Sequence, residues 1–440
     1  MSNELRDAVR ARLAGVPTVA ATGRVKAVSP TMLRLTVPGA RIGDRVVVGG
    51  PDRRGAPLVA NVVGLEDGTV LATPFGSVVG IGAEDLVTLV PGAASVLVGP
   101  ALKGRILNGL GAPCDDAGPL QGQPRPRDRE PPRPLARPAI AERFVTGVRA
   151  IDGLMTVGRG QRLGIFAGSG VGKSSLLGAL ARHALCDVVV VALVGERGRE
   201  VGDFLRDSLG DAGRARSVVV CATSDASAPE RLSAVDVATS VAEAFRDDGA
   251  DVLLLVDSLT RVCRAAREIG LSAGEPPARR GYPPSAFSLL PRLVERAGTG
   301  ERGGSITAFY TVLLEGGDLD EPVADEVRGL LDGHIVLDRT RAERGQFPAI
   351  DPVVSLSRLA SKVAPPEVLQ CAQVFRRLES LRLEKRELVA LGAYVRGSDV
   401  ELERALQLTP HFAEFLAQPL EEASSLEETD RRLAALFASR

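Results

Sequence analysis

The sequence predicts a multidomain protein with a small N-terminal β-barrel, a central RecA-like α/β P-loop core on a parallel sheet, and a C-terminal helical domain. Three textures carry that expectation. Short β-rich runs broken by turn residues fill residues 18–91. Nearly continuous apolar runs alternate with helical patterns from Gly147 to Ala364, as parallel strands covered on both faces require. Beyond Pro366 the periodicity is helical.

Taken in order, residues 1–17 read as one amphipathic helix, with Leu5, Val9 and Leu13 four apart on one face. That face suits packing on its own domain or docking to a partner, and the pattern leaves both open. Residues 18–91 carry runs such as Gly23–Val28, Arg45–Val48 and Gly68–Thr73, too short and closely spaced for anything but a small barrel or sandwich. The core domain is expected over 92–364. It includes a Pro- and Arg-rich connector at 121–138, where proline fixes φ and removes donors, so Gln121–Pro134 should be extended, loop-like and solvated. Within the core the strands fall at Arg162–Ala167, Asp187–Val194, Arg216–Ala222, Ala250–Asp257 and Ser305–Val312. Helices fall at Lys173–Ala184 and Ala228–Asp247. Residues 365–440 form the helical domain, with Val368–Leu391 and Asp399–Leu408 periodic.

The bulk composition narrows the function classes. A length of 440 residues suits two or three domains, and 45% hydrophobic with 25% charged residues is ordinary for a globular protein. Lys+Arg 54 against Asp+Glu 55 leaves a net charge of -1, which argues against a chain coated for nucleic acid. Aromatics at 3% argue against base-stacking platforms. Charge at Glu4, Arg6 and Asp7 stands where a signal peptide would be apolar, and no apolar run approaches the roughly 20 residues of a membrane span. Cys114, Cys186, Cys221, Cys263 and Cys371 are odd in number and scattered, as expected of buried free thiols in a reducing cytoplasm. His183, His334 and His411 show no metal spacing.

The chemistry starts at Phe166–Ser175, an apolar strand end followed by Ala167, Gly168, Ser169, Gly170, Val171, Gly172, Lys173, Ser174 and Ser175. Glycines at 168, 170 and 172 let backbone N–H groups turn inward on phosphate oxygens, and the following helix adds its positive end. Lys173 would neutralise β/γ-phosphate charge and the Ser174 hydroxyl would ligate magnesium. The strict motif has glycine where this chain has Ala167, a small departure in volume. Leu253–Asp257 is an apolar strand ending in a carboxylate, placed for Asp257 to hold magnesium directly or through water. Just past the second core strand, Gly195–Glu200 offers Glu196 to orient the attacking water. Spacing alone leaves that reading level with a solvated loop whose Glu and Arg pair with each other.

Thr146–Gly153 through Ser174, with the Gly195–Arg197 loop, resembles the catalytic subunits of the rotary ATP synthase superfamily. Gly281–Ser285, Gly304–Leu313, Glu321–Asp325, Leu331–Leu337 and Leu391–Asp399 more closely resemble flagellar and type III secretion export ATPases. The resemblance covers the chain from about residue 20 and implies ATP hydrolysis to ADP with magnesium. It implies Glu196 as the water-activating carboxylate, Arg197 and Arg261 near the terminal phosphate, and Arg358 as a finger supplied by a neighbouring subunit. Phe347 stands where the family usually has an adenine-stacking tyrosine and keeps the ring face. Glutamate and finger in one chain imply a homohexamer. The implied partners are a stalk-like regulator at the N-terminal helix, a central coiled-coil subunit, a membrane export gate, and export substrates with their chaperones. The implied place is the cytoplasmic face of the membrane, with no nucleic acid bound. Flagellar and virulence-type machines both stay open, and Ala393–Asp399 leans towards the flagellar type. Two other readings compete: a ring-shaped RNA translocase of the transcription-terminator type, and a catalytic subunit of a rotary ATP synthase.

Overall fold

Alternation of apolar and polar side chains closes the first domain. The computed structural model describes residues 21–49, 57–90, 95–127, 129–419 and 421–438, so the expected helix at residues 1–17 lies outside the described residues. Six antiparallel strands, β1 (Thr22–Val28), β2 (Leu33–Thr36), β3 (Arg45–Val48), β4 (Leu58–Glu66), β5 (Thr69–Pro74) and β6 (Leu86–Val90), close in the order β1-β2-β5-β4-β3-β6. Leu33 and Leu35 point inward while Arg34 and Thr36 are exposed, and Val25, Val46, Val48, Ala60, Val62 and Val87 complete a sealed interior. Closure leaves no strand edge open.

The second domain is one large sheet. Its main strands are β8 (Ile106–Asn108), β10 (Arg162–Ala167), β11 (Val188–Glu196), β12 (Ser217–Thr223), β13 (Asp251–Asp257), β14 (Ser305–Leu313), β15 (Gly333–Leu337) and β16 (Leu356–Ser357), with a short ninth strand, Gly298–Thr299, paired on β14. They run in the order β16-β15-β10-β14-β13-β11-β12-β8, parallel from β15 to β8, with β16 antiparallel on β15. The Val188–Val194 run shows why these strands read as uniformly apolar. Val188, Val190, Ala192 and Val194 feed the core on one face, and Val189, Val191 and Leu193 feed the core on the other. The helix α3 (Ala228–Asp247) packs on the first face. Helices α1 (Arg149–Leu154) and α2 (Lys173–His183) cover the second.

The C-terminal helices α5 (Pro366–Glu384), α7 (Val400–Leu416) and α8 (Leu426–Ala435) join the second core, where the Phe375 and Phe412 rings stack with centroids 4.0 Å apart. Arg149 at the start of α1 donates to the Phe415 carbonyl at 3.1 Å, and to that of Ala417, binding this domain to the sheet. The helix expected to run unbroken to Leu391 is interrupted at Lys385, after which α6 (Arg386–Ala390) begins.

Two expectations are corrected. Gln121–Pro134 is exposed over most of its described residues but is not loop throughout: β9 (Gln123–Pro126) pairs antiparallel with β7 (Ser95–Val98). Its alternating prolines leave the intervening residues free to pair, as an edge strand allows. Arg125 and Arg129 ion-pair with Asp247 at 2.6 and 3.0 Å, fixing the segment to the end of α3. Arg127 is buried against Ser233, and burial lowers its guanidinium to about 10. The cysteines are free, but Cys263 is the buried one. Cys114 is exposed because it follows the turn after β8, and the other three are half-buried: Cys186 just before β11, Cys221 within β12 and Cys371 within the helix Pro366–Glu384.

Candidate active site

Three strand ends, those of β10, β11 and β13, meet at the carboxyl edge of the sheet, where ligands of open α/β sheets bind. At the first, β10 delivers the phosphate loop. Gly172 caps α2 with φ 89, a left-handed turn, and Ser174 and Ser175 are exposed on the first helical turn. A Cβ at Gly172 would stand 3.3 Å from the Phe347 ring, so the loop and the ring form one wall. Phe347 is 40% exposed, leaving a ring face available for a base. The Gln418 backbone N–H donates to the Phe347 carbonyl at 3.1 Å, so the end of the helical domain holds that ring's backbone.

The other strand ends supply charge. Asp257, at the end of β13, is buried, ion-paired with Lys173 and accepting from the Thr311 hydroxyl at 2.8 Å. Glu196, at the end of β11, lies 3.6 Å from the Lys173 ammonium and 2.9 Å from the Arg261 guanidinium. The helix α4 (Leu259–Ser272) positions Arg261: Ser258 caps it by accepting from the Arg261 N–H, which sets that side chain in the first turn facing the Gly195 carbonyl and Glu196. Burial raises the Glu196 carboxyl and the Asp257 charge raises it further. Lys173 and Arg261 pull it back, and the balance stands at about 7, against the usual 4.5. Glu200 is hydrogen-bonded to Glu196 and held below its ordinary value by that bond.

The structure therefore brings Gly168–Ser175, Glu196, Asp257, Arg261 and Phe347 together. It does not bring in Arg197, whose exposed side chain pairs with Glu200 at 3.0 Å. Arg358 lies at the opposite end. Gly164 pairs with His334 and Ala167 with Leu337, while Ser357 pairs with Gly333 at the amino end of β15. Roughly 16 Å of strand separates Ser357 from the phosphate loop of the same chain. Sequence reasoning missed Thr311, Glu200 and Gln418. Thr311 had a signal, being a polar residue near the carboxyl end of an apolar strand. Gln418 had none, because its partner is far away in sequence.

Two oxygen ligands suited to a hard cation flank the phosphate seat: the exposed Ser174 hydroxyl and the Asp257 carboxylate. Magnesium at such sites keeps several waters and binds through substrate phosphates, so one hydroxyl and one carboxylate form a sufficient protein set.

Residues 147–357 match the model of the ATP synthase alpha/beta family nucleotide-binding domain, and 364–435 match the type III secretion EscN ATPase C-terminal domain. The chain is 46% identical over 415 residues to the flagellum-specific ATP synthase of Bacillus subtilis, covering 94% of each. It is 49% identical over 409 residues to the type 3 secretion system ATPase of Xanthomonas euvesicatoria, covering 92% of each. Among solved structures it is similar to the assembled ATPase EscN of enteropathogenic E. coli. The TM-score is 0.89 and the identity 42%, covering 94% of this chain and 100% of that one. EscN in complex with its central stalk EscO matches at a TM-score of 0.86 and 42% identity, with the same coverage. Flagellar and virulence-type relatives stand at the same level of identity. The C-terminal match separates this chain from synthase subunits and RNA translocases.

Proposed function

The chain belongs to the family of flagellar and type III secretion ATPases, and from that premise we propose that it works as a homohexameric ring whose sites are each shared by two copies. It is an ATP hydrolase of a flagellar-type protein export apparatus. The phosphates seat on the N–H groups of 168–175 and the start of α2, with Lys173 turning from Asp257 to the β/γ-oxygens. Ser174 and Asp257 hold magnesium, which when bound neutralises charge on those oxygens. Glu196 orients the water and accepts its proton, a task suited to a carboxyl poised near neutrality. Arg261 keeps that carboxylate aimed, and Phe347 stacks on the adenine. Arg358 of the next copy completes the charge on the terminal phosphate.

The single observation that carries the ring is the placement of Arg358 at the amino end of the sheet, out of reach of its own phosphate loop. The relative EscN has been seen assembled and with a central stalk, which supports the same ring and a stalk partner here. Export substrates, chaperones, a regulator and a membrane gate complete the proposed partners, and the ring would sit at the cytoplasmic face of the membrane. Among the described residues no helix is long and apolar enough to cross a membrane. Replacing Arg358 by Ala should lower kcat by roughly 10³–10⁵ with ADP binding retained. Turnover near wild type would overturn the shared site.

A further inference from the structure

The base of the finger is tied to the start of the phosphate-loop strand through one side chain. Gln161 stands immediately before β10 and is fully buried. Its Oε1 accepts from the Gly158 N–H at 2.8 Å, and its Nε2 donates to the Asp332 carbonyl and the Ser357 hydroxyl, both at 3.0 Å. The Gly158 N–H can only donate and the Asp332 carbonyl can only accept, so one amide orientation satisfies both. The Ser357 hydroxyl in turn donates to the Thr156 carbonyl at 2.9 Å. The Arg358 N–H donates to the same Asp332 carbonyl at 2.9 Å, so the Gln161 amide and the finger backbone share one acceptor.

The neighbourhood is built to hold this latch. Arg162 fixes the Asp332 carboxylate through its backbone N–H and Nε, both at 3.1 Å. A Cβ at Gly333 would stand 2.4 Å from the Leu356 carbonyl oxygen, so the strand bearing the finger lies against β15 closer than any side chain permits. The Arg358 guanidinium itself is exposed and donates to the Arg328 carbonyl at 3.3 Å. Its aim is therefore set mainly by its backbone.

We propose that Gln161 is a positioning residue for the arginine finger, acting through Ser357 and Asp332 on where Arg358 stands in the neighbouring copy's site. The inference rests on the trans-finger reading above. A finger displaced by about 1 Å stabilises the transition state less, at a cost of up to roughly 10²-fold in rate. The substrate is bound by the other copy, so its affinity should not move.

The test uses the full-length chain with Gln161→Met, which keeps length and burial but removes both polar atoms. The expected result is a kcat loss of roughly 10- to 100-fold with the Kd for a fluorescent ADP analogue within about twofold of wild type. Mixing the variant with Glu196→Gln chains, which keep an intact finger, should restore turnover, as mixing Arg358→Ala with Glu196→Gln does. Rescue of Arg358→Ala without rescue of Gln161→Met would overturn the inference and leave the shared site standing. Failure to rescue Arg358→Ala would remove the shared site and the inference together. Should Gln161→Met not fold, Ser357→Ala breaks the same latch from the finger side and carries the same expectations.

Discussion

The two ends of the central sheet hold opposite arrangements. At the carboxyl end, Lys173, Glu196, Asp257 and Arg261 are buried or half-buried and satisfied by one another, and Thr311 completes Asp257. At the amino end, Arg358 is exposed on a backbone fixed by Gln161 and Asp332. One end is a closed charge network, and the other presents an exposed cation on a hydrogen-bonded backbone. A cation held ready in this way lowers a barrier in another molecule at little reorganisation cost. A paired network instead sets the protonation of its own members. In the proposed reading, the first end would handle the chemistry of water and the second would complete charge in a neighbouring copy.

Beyond the loss expected for Arg358→Ala, this contrast is sharpened by pH. Glu196 titrates at about 7, a pKa raised by burial, so below that pH the carboxyl is protonated and cannot take a proton from water. The kcat/KM for ATP should therefore fall about tenfold per pH unit below about 7 and level off above it. Arg261 holds the carboxyl down, so Arg261→Ala should move the limb to higher pH, which a titration of ATP itself would not do. A limb that stays in place when Arg261 is removed would separate Glu196 from the rate. Another effect belongs to Phe347. Base stacking on an aromatic ring is worth about 1–3 kcal/mol, so Phe347→Ala should raise KM roughly 5- to 100-fold, with kcat changed much less. Phe347→Tyr should keep the wild-type KM, and an unchanged KM in the alanine variant would take the ring out of the binding site.

Much of the carboxyl end was legible because its parts are local. A phosphate loop needs only a strand, glycines and a helix start, and Arg162–Ala167 and Lys173–His183 supply them within one stretch. The apolar run Val188–Val194 was readable as a strand because both of its faces are buried. Pairings across long separations were not readable. The Gln123–Pro126 strand depends on Ser95–Val98 and on Asp247, and its prolines argued for the opposite state. Gln161 carries no motif at all: its meaning comes from Ser357 and Asp332, which only the sheet's register brings to it. Arg197 resembled a phosphate contact in sequence, yet its pairing with Glu200 turns it to the surface.

The most direct measurement mixes two defective chains. Arg358→Ala keeps Glu196 but lacks the finger, and Glu196→Gln keeps the finger but lacks the carboxylate. If each site is built from two copies, equal mixing should restore ATPase activity to about a quarter of wild type under random ring assembly. Activity no greater than the sum of the two variants alone would contradict a site shared between neighbours.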